Sequence, residues 1–310
     1  MYYYNQTLIN PIEIDQPDPS AANALQEGLG GQFGEMRTMM QYFFQSLNFR
    51  GKAVEYRDLI QGIALEEISH VELIGRTISQ LLDGAPGYHG KKFSVPGENG
   101  EPTMDMAKEQ KNPHHFIVGA QGALPVDAAG NPWSGSYVHN NGNLILDLLD
   151  NLVLESTGRL QKCRIYQMSS NKSLRSTVSF LIARDEAHEM AFAKALETLG
   201  VEWNKILPIP KFDSSKYPEV KKLIDAGINR EQYHFCLDSS QMEVIFNGSA
   251  PANDGSSLTT LPEPQENFAI KPSPERPEEF APGLDPELQE LVDALTDAKT
   301  KINGKTDKRR

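Results

Sequence analysis

The sequence predicts an all-α protein. It reads as a four-helix bundle of two antiparallel hairpins, with a long crossover between helices 2 and 3, an N-terminal arm and an extended C-terminal tail. Three observations predict it. In Val54 to Leu82, apolar residues recur at Leu59, Ile63, Ala64, Ile68, Val71, Ile74 and Ile78, in steps suited to a helix with one buried stripe. The breaks within each half, Arg50-Gly51-Lys52 and Ser170-Asn171-Lys172, are so short that the flanking helices must lie antiparallel. Between Gly84 and His139 the periodicity collapses among Pro86, Pro96, Pro102, Pro113, Pro125 and Pro132. So long an irregular stretch inside a domain needs a reason, and a crossover along a bundle supplies one.

Taken in order, residues 1–18 are polar, aromatic at the tip and punctuated by proline, and read as an arm. Asp18-Pro19-Ser20 is a helix start, and a helical reading follows to about Asn48. Gly28, Gly30, Gly31 and Gly34 interrupt it. They suit close helix packing or room for a site beside Glu35, and the sequence does not separate the two. The helix from Val54 is stopped by Gly84 and Pro86, and residues 84–139 form the crossover, with room for small strands. The third helix begins at Asn143 with Leu144, Leu148, Leu152, Glu155 and Leu160 on one side. The fourth ends at Gly200, a favourable helix stop. The bundle thus occupies 19–205 and an extension 206–310, with a short helix over Tyr217 to Ala226. Residues 251–286 hold eight prolines and few large apolar groups, too few for a core. They read as a solvated tail or as an arm around a neighbouring subunit, followed by a terminal helix over Asp285 to Ile302.

Composition narrows the function. A net charge of −12 opposes a nucleic-acid surface and, more weakly, an anionic membrane. Two cysteines, Cys163 and Cys236, make no disulfide framework. The first residues lack a basic stretch followed by an apolar run, and no apolar segment reaches a membrane span of about 20 residues. The expectation is a cytoplasmic protein.

The chemistry lies in Glu67-Ile-Ser-His70, whose carboxylate and imidazole share a helix face. With 7 His and 42 acidic residues in 310, about one acid-x-x-His is expected by chance; His70, His188 and His234 all have one. Position distinguishes the first two. Glu35 lies 16 residues before Gly51 and Glu67 lies 16 after it. Glu155 lies 16 before Asn171 and His188 lies 17 after it. At 1.5 Å per residue, all four stand roughly 24–26 Å from their turns. Packing the hairpins brings Glu35, Glu67, His70, Glu155 and His188 together, with Asp185 close by. Carboxylates and imidazoles without thiolate suit two divalent metals such as Mn or Fe. In the second motif, Asp185-Glu186-Ala187-His188, an Asp stands where a fourth Glu ligand is expected; one methylene shorter, it suits an outer partner. Glu66, Glu72, His114, His115, His139 and His234 read as outside the ligand set, and Cys163 as buried.

These motifs, GGQFGEMRTMMQYFFQS around Glu35, LEEISHVE around Glu67 and His70, NLVLESTGRLQ around Glu155 and RDEAHEMAF around His188, resemble the non-haem manganese catalases over residues 20–200. The resemblance implies a ferritin-like bundle with two manganese ions per chain. It puts Glu35 and His70 on one ion, Glu155 and His188 on the other, and Glu67 as the bridge. Some members place a Lys or Arg near the metals, for which Lys162, seven residues after Glu155, is the candidate. Tyr42, seven after Glu35, is the matching candidate on the first helix. Calcium occurs in some members, but no residue is assigned to it here. A homo-oligomer, a hexamer by resemblance, is expected.

The implied reaction is 2 H2O2 to 2 H2O and O2, with Glu155 and Asp185 handling protons and Lys162 supplying positive charge near peroxide. One alternative is a di-iron ferritin-like oxidase or peroxidase, against which Asp185 and the lack of a Cys-x-x-Cys pair speak. The other is a spore-coat-like structural protein that retains the site.

Overall fold

The computed structural model describes residues 7–82, 118, 122–207, 209, 213–233, 259–261, 268–269, 286, 287, 290 and 294. Five helices build the body: α1 (Pro19–Gly30), α2 (Glu35–Ser46), α3 (Val54–Leu82), α4 (Leu144–Met168) and α5 (Lys172–Thr198). Three of these helices have a local reason to start or stop. Asp18, Asn143 and Asn171 accept hydrogen bonds from the first free amides of α1, α4 and α5. Gly200, at φ +74°, lets the amides of Gly200 and Val201 return to Glu197 and Leu196, which closes α5.

The expected first helix over 19–48 is two helices. The chain breaks at residues 31–34, and the glycines explain it. A Cβ on Gly30 would stand 2.3 Å from the Val126 carbonyl oxygen, and one on Gly34 2.7 Å from the carbonyls of Gly28 and Leu29. The turn is therefore too tight for side chains. Its consequence is that Glu35 occupies the first turn of a new helix rather than the middle of an old one.

α2 packs along α3, and α4 along α5, as two antiparallel hairpins, while α1 covers α3. The apolar stripes meet in two clusters. One gathers Leu25, Leu73, Ile74, Ile78, Val178 and Leu181. The other gathers Tyr42, Leu59, Ile63, Leu148, Leu152, Phe192 and Leu196. Two predicted stripe residues face outward instead, Ile68 and Leu160. A helix of 3.6 residues per turn drifts out of a strict spacing, and each sits where that drift has carried it to the surface.

Around the bundle, β1 (Thr7–Leu8) pairs antiparallel with Phe268–Ala269, and β2 (Glu231–Tyr233) pairs parallel with Thr259–Leu261. Residues 13–16 of the arm bond to the start of α5: the Asp15 carboxylate accepts from the Lys172 amide, and the Asp15 amide donates to Ser173 Oγ. Two short helices, α6 (Trp203–Ile206) and α7 (Pro218–Asp225), follow the bundle. The described part of the crossover has a single bridge, Val126 to Pro132, and a 3-10 turn at Gly135–Tyr137. Most of the crossover, His114, His115, His234, Cys236 and nearly all of the proposed terminal helix lie outside the described residues. Among the described residues no helix is long and apolar enough to cross a membrane.

Candidate metal centre

A polar layer separates the two apolar clusters, and every helix of the two hairpins contributes to it. α3 contributes Glu66, Glu67 and His70, lying between Ile63 and Leu73. α5 contributes Arg184, Asp185 and His188, lying between Ile182 and Ala191. α2 supplies Glu35 and Tyr42, and α4 supplies Glu155 and Lys162. All are buried. Five carboxylates withdrawn from water would be costly unless compensated, so their partners define the site.

Two donor groups emerge. Glu35, Glu67 and His70 form one, and Glu67, Glu155 and His188 the other; within each, one ligand atom per residue lies within 4.8 Å of the rest. Glu67 belongs to both. Its Oε2 is 3.0 Å from His70 Nδ1, and its Oε1 is 2.9 Å from His188 Nδ1. His70 Nδ1 also lies 3.6 Å from Glu35 Oε2, and His188 Nδ1 3.5 Å from Glu155 Oε1. The five residues singled out by spacing are thus brought together by the fold, with one carboxylate spanning the two groups. Buried Glu67 Oε1 and His188 Nδ1 make no aligned hydrogen bond. Buried acceptors left that way are what a cation would satisfy, and three carboxylates with two imidazoles are a donor set suited to first-row divalent metals.

The other three predicted residues surround this set. Lys162 Nζ lies 2.6 Å from Glu35 Oε1 and donates to Asp185 Oδ2 at 2.7 Å. Tyr42 OH donates to Glu155 Oε1 at 2.6 Å. Thr38 Oγ1 donates to Glu67 Oε2 at 3.0 Å. Asp185 stands outside both donor groups, tied to them through the ammonium of Lys162. Glu35 gains from its position as well, since the N-terminus of a helix favours negative charge.

The electrostatics follow from these contacts. Burial alone would raise the Glu35 carboxyl, but Lys162 and the donors around it hold it below the usual carboxylate range. Asp185 goes the other way: burial and the neighbouring Glu35 and Glu155 charges push it well up, against the pull of Lys162. Burial disfavours charge on Lys162, yet Asp185 and Glu35 outweigh it and keep the ammonium protonated. Burial and the Glu155 charge raise the Tyr42 phenol, so it remains a donor.

Sequence reasoning read Glu66 only as outside the ligand set and passed over Arg184. Arg184 grips Glu66 with two bonds, Nε to Oε1 at 2.6 Å and Nη2 to Oε2 at 3.1 Å. Glu66 Oε1 lies 3.3 Å from His70 Nε2, and Oε2 lies 3.1 Å from His188 Nε2. A signal existed, because Glu66 precedes His70 by four residues and Arg184 precedes His188 by four, so each pair shares a helix face. Glu72 lies away from the layer against Arg76, and His139 is half-exposed beside Asp150.

The chain is similar to known proteins of one family. Residues 1–301 match the family model described as manganese containing catalase. A manganese catalase of Bacillus subtilis is 39% identical over 208 residues, 67% of this chain and 74% of the relative. One of Lactiplantibacillus plantarum is 35% identical over 208 residues, 67% of this chain and 76% of the relative. The crystal structure of KatB, a manganese catalase from Anabaena PCC7120, superposes with a TM-score of 0.56 at 22% identity, covering 85% of this chain and all of that one. At that identity the superposition speaks for the fold alone.

Proposed function

We propose, from the premise that the chain belongs to the manganese-containing catalase family, that its buried carboxylate–imidazole layer is the centre at which hydrogen peroxide is disproportionated, 2 H2O2 to 2 H2O and O2. The observation that carries the assignment to these residues is the sharing of Glu67 between two donor groups, one completed by Glu35 and His70 and the other by Glu155 and His188. On this reading each group holds one manganese ion, two per chain. Manganese supplies Lewis acidity and an accessible one-electron couple at each ion.

The remaining chemistry belongs to the protein. One half of the reaction takes up two protons and two electrons as peroxide becomes two waters. The other returns them as peroxide becomes O2. The pocket therefore has to keep protons close between the halves. Asp185, whose carboxyl is pushed up by burial, is the group suited to hold one, and Lys162 connects it to Glu35. Lys162 also places a fixed positive charge beside the ligands, where it favours anionic forms of peroxide. Tyr42 orients Glu155 through its hydrogen bond. The apolar clusters on either side exclude bulk water from the layer.

Iron in the same donors is the basis of the oxidase or peroxidase alternative, and a coat protein is the other. The family match favours neither. A homo-oligomer in the cytoplasm is part of the same proposal. Leu146, Val153 and Leu160, exposed at seven-residue intervals along α4, support contact between copies of the chain.

The test of the residue assignment is Glu35→Ala. Manganese content and O2 evolution are expected to fall together in the purified variant. Retention of both ions with full turnover would refute the assignment.

A further inference from the structure

We infer that Glu66 and Arg184, braced by residues 228–233 of the C-terminal extension, form a positioning relay that fixes both imidazoles of the centre. The inference rests on the metal-site reading above. A carboxylate has about four acceptor positions, and here all four face nitrogen atoms. Two are taken by the Arg184 guanidinium. The other two face His70 Nε2 at 3.3 Å and His188 Nε2 at 3.1 Å. Both Nδ1 atoms face Glu67; an ion held on that side would take each Nδ1 lone pair and leave the ring proton on Nε2, where Glu66 stands to accept it. The two rings lie nearly parallel, 24° apart with centroids 5.7 Å from each other, as one shared clamp requires.

Arg184 is held in turn from outside the bundle. Its Nη1 donates to the Ile228 carbonyl at 2.6 Å and to the Glu231 carbonyl at 2.7 Å. The Tyr233 ring lies 4.1 Å from its guanidinium carbon, and burial of this residue is complete. A segment more than 40 residues beyond α5's Arg184 therefore reaches the imidazoles through two side chains. Because coupling between two sites is reciprocal, manganese binding should steady residues 228–233, and loss of the relay should loosen manganese.

The test begins with Glu66→Gln. The amide nitrogen replaces one acceptor with a donor, so one imidazole must move its proton to Nδ1 and is lost as a ligand. Expected is a folded variant that holds about one manganese where the parent holds two, and releases it to a chelator about 10- to 100-fold faster. Two ions released at the parental rate would overturn the relay. Should that variant fail to fold, hydrogen exchange of the unmodified protein decides. Manganese loading is expected to slow exchange of the amides in 228–233, and unchanged exchange there overturns the proposal. Unmodified protein that binds no manganese at all would overturn the site reading, and the relay with it.

Discussion

At the scale of single residues, Lys162 connects stability with chemistry. Its ammonium lies between Glu35 and Asp185 and pairs with both. Lys162→Met keeps the length of the side chain and removes the charge. Because Lys162 belongs to neither donor group, the variant should retain its manganese, and its turnover should fall by about 10²-fold, as when one preorganised electrostatic contact is removed. Stopped-flow O2 evolution alongside metal analysis checks both halves, and unchanged turnover would remove Lys162 from the mechanism. Cys163 gives a pH-dependent prediction away from the centre. Burial pushes its thiol from 9.0 up to about 11. The folded state then binds more protons than the unfolded state between those values, so this contribution to stability is complete below pH 9 and is lost as pH rises towards 11. Urea midpoints measured from pH 8.5 to 10.5 should fall less steeply in Cys163→Ser than in the parent. Most of these residues were legible in the sequence, because helical spacing converts position into height along the bundle. The bond between Glu66 and Arg184 was not legible, because it spans 118 residues and only the packing of α3 on α5 reveals it.

The elements carry a different lesson. Helices α3, α4 and α5 begin and end close to where periodicity, caps and glycine predict. The long first helix did not survive: at the break Gly31 and Gly34 fold back on Glu27, Gly28 and Leu29, and next to it Gly30 meets the backbone of Val126, almost a hundred residues away. Glycine in a helical pattern reads as weak propensity, whereas here it permits contact between backbones that no side chain could enter. Gly30→Ala should therefore force the crossover away from α1 at a cost of about 1–3 kcal/mol. Gly135→Ala, with nothing within 4 Å of the new methyl group, serves as the control. Equilibrium urea denaturation of both variants compares them. The break also sets the chemistry, because it is what puts Glu35 in the first turn of α2 and in line with Glu67 and Lys162.

For the whole molecule, the account comes down to one layer of charge enclosed between two apolar clusters. The bundle pairs its hairpins so that acids on α2 and α4 stand level with acid and imidazole on α3 and α5, and residues 7–8 of the arm and 218–233 of the extension pack on its outside. That architecture was readable from the spacing of a few residues about two turns. The pairing of the extension with Arg184 was not, because β2 is too short to carry a pattern of its own. The measurement that tests the central claim most directly is metal analysis of protein purified from manganese-supplemented cells, with O2 evolution from peroxide followed on the same sample without added reductant. The account predicts about two manganese ions per chain, from the two donor groups, together with O2 release. Protein that holds two iron ions and consumes peroxide only when a reductant is supplied, or that holds no metal, would contradict it.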